Sequence, residues 1–218
     1  MQDPAAAPAQ DIASEIARYP HGRVPRALRE RQLLELAEAL FAERGYGGAS
    51  MDELARRAGV TKPVIYDLIG SKEELYRRCV QRAADELYER VAAAVAEAAD
   101  PPARLRAGSL AFFRFVAEHR RSWEMLFTGD PGPFSAEAAG IRARQTGLVI
   151  ELMDEAARAL GASIDPRRLS ATAHALNGAY EALAHWWYAN PDVPPEALAD
   201  WLVEMVLPGL QQIAAGSA

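Results

Sequence analysis

Lys62, Pro63, Tyr66 and Asp67 bring an ammonium, a rigid ring, a phenol and a carboxylate within six consecutive positions. At about 100° per residue they share one side of a short helix, while Val64, Ile65 and Leu68 gather on the other and should pack inward. A cation donates, a carboxylate accepts and a phenol does both, so the outer side has what it takes to read base edges in a major groove. Lys72 follows at the start of a long helix, where free N–H groups favour phosphate. A second set, His174, Asn177, Glu181 and His185, lies within an arc of about 80° on another helix. Its nitrogens and oxygens could hold a metal, bond to a partner, or simply face water.

The elements that must position the first set announce themselves in Ser50–Leu75, SMDELARRAGVTKPVIYDLIGSKEEL. Ser50 and Glu53 form a capping box, the serine hydroxyl taking the N–H three residues on while the glutamate reaches back. Met51, Leu54, Ala55 and Ala58 then repeat at helical spacing. Gly59 ends that helix, because a left-handed residue is cheap only for glycine. Thr61 caps the next helix, and Pro63 in its first turn lacks only an N–H that would have had no partner. Ser71 and Glu74 form a second capping box. Two short helices, a tight turn and a third helix follow from these signals alone. A helical hairpin with no nucleic acid in view would satisfy the same caps, but would not require the outward Lys and Tyr.

ERGYGGASMDELARRAGVTKPVIYDLIGSKEEL resembles the DNA-binding domain of the tetracycline-repressor (TetR) family of bacterial transcription regulators. The resemblance covers roughly residues 27 to 76, with Gly45, Tyr46, Ser50, Ala58, Gly59, Val60, Thr61, Tyr66, Lys72 and Leu75 at the family's spacing. It implies that Lys62, Pro63, Tyr66 and Asp67 face the major groove and that Thr61, Tyr66 and Lys72 hold phosphates, with Ser50 also at the interface. Leu68 and Ile69 stand where the family usually has His or Tyr and then Phe. Leu68 therefore lacks one expected phosphate contact, whereas Ile69 should still fill the core. The family further implies a homodimer joined through the last two helices, a small-molecule effector, a palindromic double-stranded DNA operator and repression relieved by the effector.

The net charge of -6 looks wrong for a DNA binder until it is divided. Arg23 to Lys72 contains nine Lys and Arg against seven Asp and Glu, so this segment is basic and the remainder carries the acid. Such a dipolar molecule orients on DNA and binds it in a salt-sensitive way. Arg23, Arg26 and Arg29 could lie on phosphates or reach a minor groove, or equally begin a solvated helix. The 218 residues, 50% hydrophobic, can bury a full core and suit two domains. The lone Cys79 excludes an internal disulfide and suits a reducing cytoplasm. No apolar run reaches the roughly 18 residues needed to cross a bilayer, and residues 1 to 22 do not read as a signal peptide.

No alternating apolar pattern appears, so the expected class is all-α, with about nine helices. Residues 1–22 read as a mobile tail, 23–72 as the helix-turn-helix domain and 73–218 as a ligand-binding and dimerisation domain. Leu169, Ala173, Leu176, Tyr180, Leu183 and Trp187 form a bundle seam, and Ala171, Ala175, Gly178, Ala179 and Ala182 allow close helix approach. An effector cavity should be mostly apolar with a few polar groups. The candidates are Phe112, Phe113, Trp123, Phe127, Met153 and Trp186, with His174, Asn177 and Glu181, and further aromatics Phe115 and Phe134. Such aromatics are individually more often core than ligand contacts. No phosphate loop, nucleophile elbow or zinc-protease motif is present, so no enzyme activity, cofactor or metal site is expected. Two alternatives stand beside a DNA-binding regulator: a dimeric module that has lost DNA binding, and a metal-responsive regulator.

Overall fold

A computed structural model describes residues 7–19, 24–127, 135–159 and 162–215. These fold into ten helices with no strand among the described residues: α1 (Ala7–Ala17), α2 (Arg26–Gly48), α3 (Met51–Ala58), α4 (Lys62–Ile69), α5 (Lys72–Ala96), α6 (Pro101–Glu118), α7 (Arg120–Phe127), α8 (Ser135–Ala159), α9 (Pro166–Tyr188) and α10 (Pro195–Ala215). The all-α class is as expected, and the tenth helix is α1, inside the segment read as a tail. Ile12 and Ile16, one turn apart, give α1 an apolar stripe. Ile12 is buried, and Glu15 bonds Arg31 of α2 at 2.8 Å. Arg23, Phe134 and the break between Thr128 and Pro133 lie outside the described residues.

The described residues divide into two compact units. The first holds those up to Asp85 together with Glu118 to Phe127, so it reaches past residue 72 into α5 and takes in α7. The second holds Glu86–Ala117 and the described residues from Ser135 onward.

In the first unit α1, α3, α4 and α7 all pack on α2. Leu33, Ala37, Leu40 and Phe41 form its buried face. Leu75, Cys79 and Ala83 of α5 are buried in the same unit, with the Cys79 thiol 3.6 Å from the Leu34 carbonyl oxygen. Arg82 reaches from α5 to Glu38 of α2 at 2.7 Å. α2 is kinked at Gly45, whose φ is 67°. Beyond the kink, Tyr46 lies with its ring centroid 6.2 Å from Phe41 and 5.2 Å from Tyr76.

In the second unit α9 packs on both α8 and α10. Asp165 caps α9, its carboxylate accepting from the N–H groups of Arg167 and Arg168 at 2.9 and 3.1 Å. Leu169, Ala173 and Leu176 of the expected seam are buried, and Ala184 joins them in place of the half-buried Leu183. α10 runs through Pro208 as one helix.

Candidate nucleic-acid interface

α3 is a small amphipathic helix whose Met51, Leu54, Ala55 and Ala58 are all buried. Its caps differ from the expected box. The Ser50 hydroxyl accepts from the Asp52 N–H at 3.2 Å, two residues on. Glu53 turns away from the cap to Arg56 and Arg57, at 2.6 and 2.8 Å, because two guanidiniums within one turn outcompete a single backbone donor. These arginines pull the Glu53 carboxyl down to about 2. Arg57 also forms a two-bonded pair with Glu43 of α2, at 3.1 and 2.7 Å, tying α3 to the hub.

Gly59 closes α3 in the left-handed region, φ 65° and ψ 34°, donating to the Ala55 and Arg56 carbonyls. Thr61 has the extended backbone of an N-cap, but its side chain takes no cap bond. Of the two N–H groups such a cap could take, Pro63 has none, and that of Val64 goes to the Thr61 carbonyl at 3.0 Å. The Thr61 residue is exposed.

α4 is anchored by Ile65 and Ile69, both buried, one turn apart. Val64 is 38% exposed, which corrects the expectation that it packs inward. With the buried line set by Ile65 and Ile69, Val64 stands roughly 120° from it. Leu68 is half-buried, and Ile69 fills the core as expected. Lys62, Pro63, Tyr66 and Asp67 are all exposed, Tyr66 at 46%.

The two described arginines of the N-terminal cluster are occupied within the chain. Arg26 donates to the carbonyls of Asp67 and Leu68 at 3.2 and 3.3 Å, so it satisfies the last turn of α4. It also pairs with Glu30 at 2.8 Å and lies 3.8 Å from the Asp67 carboxylate. Arg29 donates to Gln32 at 2.7 Å and to the Ala58 carbonyl, at the end of α3, at 3.4 Å. Sequence reasoning missed these capping roles. The signal that could have found them is the absence of any basic residue in the last turn of α4 itself.

Lys62 is bonded to Asp52 at 2.8 Å, and that bond raises its pKa. At the start of α5, the Ser71 hydroxyl accepts from the Glu74 N–H at 3.1 Å, as the second box requires. The Glu74 side chain pairs instead with Arg77 and Arg78. Lys72 lies over the Tyr46 ring at 4.7 Å, and the Tyr46 hydroxyl donates to Glu73 at 2.9 Å. α4 thus offers an exposed ammonium, phenol and carboxylate on a buried apolar footing, and a second ammonium, Lys72, stands at the start of α5.

The candidate effector residues are divided between the two units. Phe112 and Phe113 are buried in the second unit, edge to face at 5.2 Å, with Tyr180 at 5.0 Å from Phe112 and Trp187 at 6.2 Å from Phe113. The Ser109 hydroxyl donates to the Leu105 carbonyl at 2.7 Å, so Tyr180 donates to Ser109, also at 2.7 Å. Burial pushes the Tyr180 hydroxyl up to about 12. Asn177, half-buried, donates to Thr146 at 3.0 Å. Met153 packs with Ile150 against Ala157, Ala162, Ile164 and Leu169. Glu181 is half-buried. His174 and His185 are exposed, each with Nδ1 2.8 Å from the carbonyl one turn back, and Trp186 is 45% exposed. Trp123 and Phe127 belong to the first unit, where their rings stack at 5.6 Å. Among the described residues no group of three or more His, Cys, Asp or Glu is placed to hold a metal ion, and no helix is long and apolar enough to cross a membrane.

Comparisons with known proteins agree with this geometry. The family of bacterial regulatory proteins, tetR family, matches residues 33–79, and the tetracyclin repressor-like C-terminal domain matches residues 101–209. The transcriptional activator FasR of Mycolicibacterium smegmatis is 44% identical over 108 residues, 50% of this chain and 49% of FasR. The transcriptional repressor KstR2 of Mycobacterium tuberculosis is 34% identical over 91 residues, 42% of this chain and 46% of KstR2. The chain thus spans about half the length of the curated relatives it matches. A TetR-like regulator from Rhodococcus sp. RHA1 superposes with a TM-score of 0.73 at 33% identity, over 87% of this chain and 99% of that one. AibR, solved with isovaleryl coenzyme A and operator DNA, gives 0.66 at 27% identity over 81% of this chain and 97% of its own. With the helix-turn-helix, the helical second unit and both family matches in agreement, the chain belongs to the tetR family of bacterial regulatory proteins.

Proposed function

We propose that this chain is a homodimeric, ligand-responsive transcription regulator that grips a palindromic operator in the cytoplasm and is released from it by a small molecule. The observation that carries the reading is the exposed side of α4: Lys62, Pro63, Tyr66 and Asp67 stand in solvent on a helix whose Ile65 and Ile69 are buried behind them. Two such helices in a dimer address half-sites about 34 to 36 Å apart. Lys72 and Thr61 hold flanking phosphates. Pairing of α9 and α10 between subunits is supported by their exposed Trp186, Trp201 and Met205, beside the small exposed Ala175, Gly178 and Ala182. The effector sits in the second unit near Phe112, Phe113 and Tyr180. It acts by binding the DNA-incompetent shape more tightly, the only way a ligand can shift such an equilibrium. AibR, a structural neighbour caught with both an acyl coenzyme A and its operator, supports a ligand-and-DNA regulator.

FasR is named an activator, and that favours a second reading in which the bound dimer promotes transcription. Titration of operator-length duplex at several salt concentrations tests DNA binding, with Tyr66→Ala and Lys62→Ala expected to weaken it. Unchanged affinity in both variants refutes the interface. A promoter fusion with and without the chain then distinguishes repression from activation.

A further inference from the structure

Asp67 is out of place on grounds of local stability and of affinity alike. It lies in the last turn of α4, where the helix dipole disfavours an anion. Its side chain is 79% exposed on the side offered to a polyanion, which repels it. A carboxylate can only accept hydrogen bonds, so in a major groove it finds a partner only where a base offers an amino group. Cytosine offers N4, with no acceptor beside it on that edge. Adenine offers N6 with the N7 acceptor adjacent, guanine offers two acceptors, and thymine offers one acceptor and a methyl.

The same carboxylate is held from behind. The Arg26 guanidinium donates to the carbonyls of Asp67 and Leu68 at 3.2 and 3.3 Å and stands 3.8 Å from the Asp67 Oδ2. Glu30 fixes its other end at 2.8 Å. Arg26 therefore bonds to the backbone beneath Asp67 and places a positive charge beside its carboxylate, which offsets the repulsion from flanking phosphates. Glu30, Arg26 and Asp67 form a chain from α2 to the groove side of α4.

We propose that Asp67 is a specificity-determining residue that selects cytosine at one position of each operator half-site, and that Arg26 is the positioning residue that aims it. The inference rests on the DNA-binding reading above and deepens it. Asp67 adds little to affinity and much to discrimination, in the manner of a carboxylate accepting from cytosine N4.

The test is selection of bound duplexes from a pool with randomised half-sites, using the full chain and its Asp67→Asn, Asp67→Ala and Arg26→Ala variants, each first shown to be folded by its melting curve. The wild type should retain cytosine at one position per half-site, by roughly 5- to 150-fold over other bases, the usual cost of one mismatched base pair. Asp67→Asn should lose that preference or convert it to adenine, whose N6 and N7 match an amide. Asp67→Ala should lose it with no new preference. Arg26→Ala should weaken the preference at that same position, a change that mere loosening of the fold would not confine to one base pair. Preferences unchanged within about twofold at every position in both Asp67 variants overturn the inference while leaving the regulator reading intact. So does an equal loss of binding to all sequences in both. A wild-type chain with no salt-dependent duplex binding overturns the regulator reading, and this inference with it.

Discussion

The turn between α4 and α5 is the place where one methyl group should do the most damage at the least apparent cost. Gly70 has φ 102° and ψ -89°, and a Cβ built there meets nothing within 4 Å. Gly59, between α3 and α4, has φ 65° and ψ 34° and an equally open surround. Substitution by alanine at either site therefore adds no clash, and the whole penalty is backbone conformation. At Gly59 this is the left-handed region, costing about 1–2 kcal/mol, less about 0.4–1 kcal/mol for the freedom alanine removes from the unfolded chain. Gly59→Ala should cost about 1 kcal/mol. Gly70 lies where side chains of L-residues hardly go, at the upper end of the roughly 1–3 kcal/mol range for strained backbone, so Gly70→Ala should cost about 2 kcal/mol. For a chain of this size that lowers Tm by about 4–8 °C, against half as much for Gly59→Ala. Urea and thermal melts followed by circular dichroism read both. Gly70→Ala no more destabilising than Gly59→Ala would refute the reasoning, since it would mean the turn relaxes into a conformation alanine accepts.

Tyr180→Phe should cost about 1 kcal/mol by removing one buried hydrogen bond, and Ser109→Ala more, because it strips the buried phenol of its acceptor; paired urea melts compare them. Tyr180 is neutral in the fold, its ionisation raised to about 12, so stability is intact below the ordinary tyrosine range and falls as pH climbs through that value. Alkaline difference spectra should show it ionising late, and Tyr180→Phe should flatten the alkaline loss. Glu53, held down to about 2, works with the opposite sign. Its contribution is present above the ordinary carboxylate range and disappears as pH falls toward 2, so Glu53→Gln should flatten the acid limb of the melting profile. Trp201→Glu together with Met205→Glu should turn the dimer into monomers by sedimentation without lowering helix content; an intact dimer excludes α10 from the interface.

Most helix boundaries were legible because their punctuation is local. Gly59 ends a helix for steric reasons that need no neighbour, Pro166 begins one after a capping Asp165, and both stand where the spacing predicts. What was not legible depends on partners distant in sequence. Glu53 and Glu74 would complete capping boxes in isolation, yet arginines one turn on take them first. Arg26 and Arg29 read as phosphate ligands or a solvated helix start, and their bonds to the carbonyls that end α4 and α3 arise only once those helices fold against α2. Val64 and Leu68 share a side of α4 with Ile65 by helical spacing, but an eight-residue helix buries only a narrow line, and Ile69 completes it with Ile65. Trp123 and Phe127 matched the composition of a ligand cavity, while their place in the first unit follows from α7 returning to α2, which periodicity cannot see.

The cations around α4 come already engaged: Lys62 on Asp52, Arg56 on Glu53, Arg57 on Glu43, and Lys72 over the Tyr46 ring. The surface is thus a loaded ion exchanger. An arriving phosphate displaces a resident carboxylate, and does not simply shed a loosely held counterion, so the gain from charge alone is blunted. Heparin, polyphosphate or bulk chromosomal DNA should accordingly compete poorly against a site that also satisfies the groove-facing side chains. If the chain reads an operator as proposed, sorting it from bulk DNA begins with this lowered background, before any base is read.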